Sequence, residues 1–224
     1  MPHNTHVFNG LNDDFYSFSI SAVDQEEFIV GRPYGGLTIL WRKSVDHMCK
    51  VINFSDNRIL GLELSADGRQ LLALNVYLPF YCPENTNNYL FYIGKTSAIM
   101  EDSNTSEFMV LGDFNANNGS SFFRHWDAVC RDYDTVFTDV TSLPATSYTH
   151  VNKGSLTCSW IDHCLCSRTV HGSIREVSID YNYYDSDHLP LTVSLDYPCL
   201  PVSIPESGTE SRTKWTLSEE DRVD

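Results

Sequence analysis

The chain is predicted to be an α+β protein, a two-sheet β-sandwich flanked by helices. Three observations predict it. Apolar runs of strand length outnumber helical stretches, and paired strand runs alternate with helical crossovers. The 224 residues, 42% hydrophobic, suit one large domain, since β-rich domains often run to roughly 200–250 residues. Three apolar runs end in polar clusters: Gly112-Asp113-Phe114-Asn115, Trp160-Ile161-Asp162-His163 and Ser186-Asp187-His188-Leu189. A rigid sheet gathers reactive groups from distant sequence in this way.

The elements follow in order. Phe15–Ala22 alternates loosely and is expected to be a strand. Residues 31–36, Gly-Arg-Pro-Tyr-Gly-Gly, form a turn signal before an apolar strand at Leu37–Trp41. Arg58–Leu64 alternates, Ser65-Ala66-Asp67-Gly68 turns, and Gln70–Leu78 runs back, which is a hairpin ended by Pro79 and Pro83. Asn85–Asp102 reads as a helix, with Tyr89, Tyr92, Ile93, Ile99 and Met100 as a core stripe and Asn85 or Thr86 as its N-cap. Glu107–Leu111 is a strand, and Ser120–Arg131 a shorter helix with Phe122, Phe123, Trp126 and Val129 inward. Ser159–Ser167, Ile174–Ile179 and Leu189–Leu195 complete the strands. From Pro198 the chain turns rich in Pro, Ser, Thr and acids. The expected organisation is a domain over 1–197 and an acidic linker or tail over 198–224.

Composition narrows the function. No stretch reaches the roughly 20 apolar residues that cross a bilayer, and the first residues lack the basic and apolar regions of an export signal. The expected location is intracellular, nucleus or cytoplasm, with no membrane partner. Seven cysteines are scattered through apolar runs and read as buried strand residues; Cys164 and Cys166 beside His163 lack the spacing of a zinc site. The net charge of −15 argues against coating nucleic acid by charge alone, but not against a nuclease, because a bound divalent cation offsets local acid charge. Arg32, Arg42, Lys43 and Lys50 form the one basic concentration, read as a solvated edge ahead of a DNA-contacting patch. There is no internal repeat and no Gly-rich nucleotide loop, so no small-molecule cofactor is expected.

The clusters carry chemistry. Asp113 and Asn115 stand two apart, and in an extended segment they point to one face. An acid and an amide so placed hold a water and a phosphate oxygen together, with Asp113 as general base. The bland alternative is an Asx turn after a strand. His188 at a strand mouth polarises a phosphoryl oxygen if an acid holds its ring, and Asp162 is the natural partner. Alone, each of these is an ordinary strand-edge or loop residue.

Taken in order, Asn75-Val76-Tyr77-Leu78-Pro79, Gly112-Asp113-Phe114-Asn115, Ile161-Asp162-His163 and Ser186-Asp187-His188-Leu189-Pro190 resemble the ordered motifs of the endonuclease/exonuclease/phosphatase superfamily. The run from Gly31 through Leu37 to Trp41-Arg42-Lys43 resembles the endonuclease domain of non-LTR retrotransposons. The resemblance implies a deoxyribonuclease-like four-layer fold and Mg²⁺- (or Mn²⁺-) dependent nicking of DNA by water attack on a phosphodiester. It also implies a reverse transcriptase as the neighbour beyond the C-terminus. The implied roles are Asp113 as base, Asn115 positioning it and the phosphate, and His188, held by Asp162, stabilising the phosphoryl group. Asp187 helps place metal or water, and Tyr77 lies near the leaving oxygen or the phosphate.

The opening motifs of the family, an Asn-bearing strand and a strand ending in Gln-Glu whose Glu is the main metal ligand, are not evident. Gln25-Glu26 sits too close to Gly35 to replace them, and Glu26 is read as an exposed acid. The chain therefore reads as an N-terminally truncated copy or a fragmentary gene model. The alternative function is a catalytically impaired remnant. A phosphoinositide or sphingomyelin phosphoesterase ranks below both, because Asn115-Ala116-Asn117-Asn118 lacks the Tyr-Arg pair of the inositol phosphatases.

Overall fold

A computed structural model describes residues 13–21, 36–80 and 83–197. The predicted turn at 31–35, Glu26 and the tail at 198–224 lie outside the described residues. The centre is a six-stranded mixed sheet in the order β3 (Cys49–Asn53), β4 (Ile59–Ala66), β5 (Arg69–Tyr77), β6 (Glu107–Asp113), β10 (Asp162–Ser167) and β7 (Thr135–Phe137). The β4–β5 hairpin closes on Asp67 and Gly68, both at positive φ (51° and 78°). That backbone twist matches the twist of the flanking strands, and Asp-Gly is the pair that adopts it most readily. The one parallel pairing, β5 with β6, is bridged by helix α1 (Thr86–Asp102), as a parallel crossover requires.

Strand pleating sorts the apolar residues onto two faces. Leu72, Leu74 and Val76 of β5, Phe108 and Val110 of β6 and Leu165 of β10 face the helical layer. There they meet Tyr89, Ile93 and Met100 from α1 and Trp126 and Val129 from α2 (Trp126–Asp132). The buried α1 residues Tyr89, Ile93, Thr96 and Met100 fall on one helical stripe. On the other face the second layer is two separate hairpins. One joins β1 (Phe15–Ile20) to β2 (Leu37–Arg42) and packs Ile20 and Leu37 on Leu60. The other joins β11 (Ile174–Ile179) to β12 (Leu191–Leu195) over Leu71, Met109, Cys164 and Cys166. Between β2 and β12 lies a trough of about 400 Å³, floored by Leu62, Ala73, Asn75 and Leu111. A small hairpin, β8 (His150–Asn152) with β9 (Thr157–Ser159), stands beside its end.

The sandwich is the predicted one, but three local expectations change. The run Ser159–Ser167 takes in the last residue of β9 and the whole of β10, with a break at Trp160 and Ile161 where the backbone leaves one sheet to enter the other. Asp162 therefore opens a strand and does not close one. The helix expected from Ser120 begins later, as a 3-10 turn at Phe123–His125 leading into α2, because Asn117, Asn118 and Gly119 spend the preceding residues in turns. Strands β3, β7 and β8 and the short helices α3 (Thr138–Ser142) and α4 (Arg168–His171) were not foreseen.

Candidate active site

The pleat that builds the core also builds the site. Tyr77 ends β5 and Asp113 ends β6, and the two are in register. Asp162 opens β10 directly opposite Asp113 across an antiparallel ladder. All three stand at one end of the central sheet, and Asp162 reaches the trough.

Asp113 can sit there because Gly112 precedes it. Gly112 has φ 136°, and a Cβ at that position would lie 2.0 Å from the carbonyl oxygen of Val76. Only glycine permits that approach. Asn115 follows at φ 48°, so the chain is turning and not extended. Its backbone N–H donates to Asp113 Oδ1 at 2.8 Å, and its side-chain amide donates to the Leu78 carbonyl at 2.8 Å. Asp113 and Asn115 are thus joined by an Asx turn, and the expected strand-face geometry is corrected.

Asp113 is pushed up to about 7, first by burial and next by the facing Asp162 carboxylate; the Asn115 N–H and the charges of His188 and His163 oppose the rise. Two carboxylates directly opposite each other in a ladder repel, so one of them holds a proton more tightly. His188 answers the other. Its Nδ1 lies 3.1 and 2.9 Å from the two Asp162 oxygens. That hydrogen bond holds its pKa above the ordinary imidazole value, against the effect of burial. The outward Nε2 of such a ring is a donor for an anionic oxygen. Asp187, on the loop before His188, accepts from Ser186 Oγ at 3.4 Å, and its charge adds to the rise at His188. It borders a polar pocket with His150, Asn152, Lys153 and Asp185. The ring of Tyr77 is covered by the Arg58 guanidinium, 5.0 Å away, which also donates to the Tyr77 carbonyl at 3.0 Å.

The structure thus brings Tyr77, Asp113, Asn115, Asp162 and His188 to one place. Four contributors were missed in the sequence. Thr149, fully buried, accepts the N–H groups of Ile161 (3.1 Å) and Asp162 (2.9 Å) on its hydroxyl and so fixes the start of β10. His150 lays its ring 4.9 Å from that of His188. Arg58 braces Tyr77, and Asn75 donates its amide to the Thr38 carbonyl at 3.1 Å, tying β2 to the sheet beside the site. Of these only Asn75 lay inside a recognised motif; Arg58 opened a predicted strand run, and Thr149 and His150 lay in a stretch with no predicted element.

A divalent cation needs several hard oxygen donors around it. Among the described residues, no three His, Cys, Asp or Glu side chains converge to hold a metal ion. Asp162 is committed to His188 and Asp113 to the Asn115 turn. The described donor set does not make a cation site by itself, and no chemical step below passes through a metal.

The comparisons agree with the fold. No curated protein matches the chain. The 3′ phosphatase NExo from Neisseria, solved bound to a product DNA hairpin, is 18% identical; the alignment covers 82% of this chain and 89% of that one, with a TM-score of 0.62. The endonuclease domain of TRAS1, a telomere-specific non-LTR retrotransposon, is 14% identical over 84% of this chain and 82% of its own, with a TM-score of 0.60. The AP endonuclease LMAP from Leishmania major is 11% identical over 83% and 72%, with a TM-score of 0.62. At these identities the likeness is one of fold. The family profile is broader evidence: that of the Endonuclease/Exonuclease/phosphatase family matches residues 2–188. With that match spanning most of the sequence and the sandwich in place, the chain belongs to the endonuclease/exonuclease/phosphatase family.

Proposed function

We propose that this domain hydrolyses a phosphodiester in DNA, in the manner of a retrotransposon endonuclease. The observation that carries the reading is the convergence of Asp113, Asp162 and His188 from three separate motifs at one sheet end. Asp113, with its pKa near neutrality, takes the proton of an attacking water. Asn115 holds the turn that aims it. His188, kept cationic by Asp162, donates to the phosphoryl oxygen as charge builds on it. Tyr77 faces the leaving-oxygen side. Members of this family usually use a divalent metal; Asp187 is the described residue assigned to that task, with Mg²⁺ or Mn²⁺ supplying charge neutralisation when bound. A reverse transcriptase as neighbouring partner belongs to the same proposal.

Purified protein with supercoiled plasmid and Mg²⁺ is the test. Relaxation that falls about 100-fold or more in Asp113→Ala and in His188→Ala is expected. No nicking at any enzyme concentration would sink the reading. One observation favours a second reading, a remnant without working chemistry: the described residues do not converge three metal donors. Calorimetric titration with Mn²⁺ separates the two, since saturable binding lost in Asp187→Asn counts against the remnant.

A further inference from the structure

The loop that delivers His188 carries a surface that the chemistry above does not use. Within residues 180–187 stand Tyr181, Tyr183 and Tyr184, exposed by 44, 39 and 77%. Tyr181 pairs its ring with that of Tyr148 at 5.0 Å, and Tyr148 lies just ahead of β8. The loop is pinned at both ends. The Asp180 N–H donates to the Pro190 carbonyl at 3.1 Å, and the Val151 N–H donates to the Asp187 carbonyl at 2.8 Å. His188 donates its own N–H to Ser186 Oγ at 3.0 Å, and its ring lies 4.9 Å from that of His150. A polar pocket of about 390 Å³ begins at the residue after Tyr184, lined by His150, Asn152, Lys153, Asp185, Ser186 and Asp187. Small-ligand sites occupy roughly 300–1,000 Å³. Isolated apolar residues on a surface are ordinary, but three exposed rings in one short loop form a contiguous patch.

We propose that Tyr148, Tyr181, Tyr183 and Tyr184 form a stacking platform for unpaired nucleobases beside the scissile phosphate, so that the preferred substrate is DNA that is single-stranded next to the cut. The part concerning the cut rests on the proposed function; the binding part does not. Charge favours this ligand over an intact duplex. A chain of net charge −15 gains little from a phosphate backbone, and Lys153 is the one Lys or Arg on the pocket lining. Asp185 and Asp187 on the same lining repel a second phosphate. Affinity must then come from uncharged surface. A base stacked on an aromatic ring strengthens binding by roughly 5-fold to 100-fold. A paired base spends its faces on its neighbours in the duplex, so only an unpaired one can use the rings. Asn152 and Ser186 supply an amide and a hydroxyl for the polar edge of such a base. The pinned loop is held before any ligand arrives, which lowers the cost of ordering it. Because His188 ends that loop, a phosphate at its imidazole sets the flanking nucleotides against the platform.

The test is fluorescence anisotropy of a labelled oligo-dT of about 20 nucleotides, titrated with the full chain in EDTA so that no strand is cut. Oligo-dT is expected to bind about 10-fold or more tightly than a duplex of the same length, with a slope of log affinity against log salt shallower than about −2. Tyr181→Ala and Tyr184→Ala are each expected to weaken oligo-dT binding about 5-fold or more, and Tyr184→Phe, which keeps the ring, to bind like wild type. Tyr184 is the most exposed of the four, so its replacement leaves the fold intact. Equal or tighter binding of the duplex overturns the proposal, as does a steeper salt slope or a pair of alanine variants that bind like wild type. Tighter binding of an oligo-rU of the same length overturns the assignment to DNA. Self-association in sedimentation that Tyr184→Ala abolishes, with oligo-dT affinity unchanged, makes the surface a contact between copies and also overturns it. If oligo-dT binds as expected but neither it nor plasmid is cut with Mg²⁺, the binding inference stands and the hydrolytic reading falls. If plasmid is nicked and oligo-dT does not bind, the hydrolytic reading stands and the platform falls.

Discussion

Asp113 meets two opposed demands. As the proposed general base it needs a pKa near the operating pH, and burial opposite Asp162 raises it to about 7. The same shift weakens the fold. A carboxyl whose folded pKa exceeds its unfolded value of 3.8 takes up protons on folding, so stability declines as pH rises from about 4 to about 7. Asp113→Asn removes that decline. The variant is expected to be more stable than wild type by on the order of 3 kcal/mol at pH 8 and indistinguishable at pH 4, measured by urea unfolding. Equal stability at both pH values would count against the raised pKa. The residues of this centre differ in how legible they were. Asp113, Asp162 and His188 sit in short linear motifs whose neighbours, a glycine and apolar strand residues, mark them. Thr149 gains its meaning only from its partners at the start of β10. A lone threonine between a turn and a histidine carries no periodic signal.

At the scale of elements, β6 depends on one position. A side chain at Gly112 would drive its Cβ into the Val76 carbonyl of the neighbouring strand, and neither backbone can withdraw without breaking the parallel ladder. Gly112→Ala is expected to cost about 3 kcal/mol or more by denaturant unfolding. Nicking, if present, should be lost even where the protein stays folded, because Asp113 is displaced. A near-neutral change would show that the strand relaxes freely there. The long elements, β4, β5, β6 and α1, could be read from periodicity. The three-residue strands β7, β8 and β9 could not, since a period of two leaves almost no trace over three residues. The break at Trp160 and Ile161 was hidden because the apolar run continues through it.

At the scale of the whole molecule, the two faces of the central sheet are covered unequally. The helical face is sealed by α1 and α2, whereas the opposite face is covered by two hairpins with a trough between them. Neighbours on β6 report the difference. Val110 is fully buried in the helical core; Leu111 lines the trough and is only partly buried. Val110→Ala is expected to destabilise by about 2 kcal/mol, and Leu111→Ala by less, although it removes more hydrocarbon. The reverse order in chemical denaturation would mean that the trough is filled in solution. The overall sandwich was legible because alternating runs and one long helix limit the architectures. The division of its second layer was not, because that depends on which edges find partners.

The ladder that sets Asp162 against Asp113 has a consequence for how such a domain changes over generations. Strand side chains alternate, so inserting or deleting a single residue in β10 turns Asp162 toward the helices and exchanges the roles of His163 and Cys164. Substitutions can silence the reactive groups one at a time and leave the frame standing. A one-residue insertion in β10 instead withdraws Asp162 from its partners and disturbs the core in the same event. The descendants of this chain can therefore lose the chemistry and keep the shape, but cannot lose the shape and keep the chemistry.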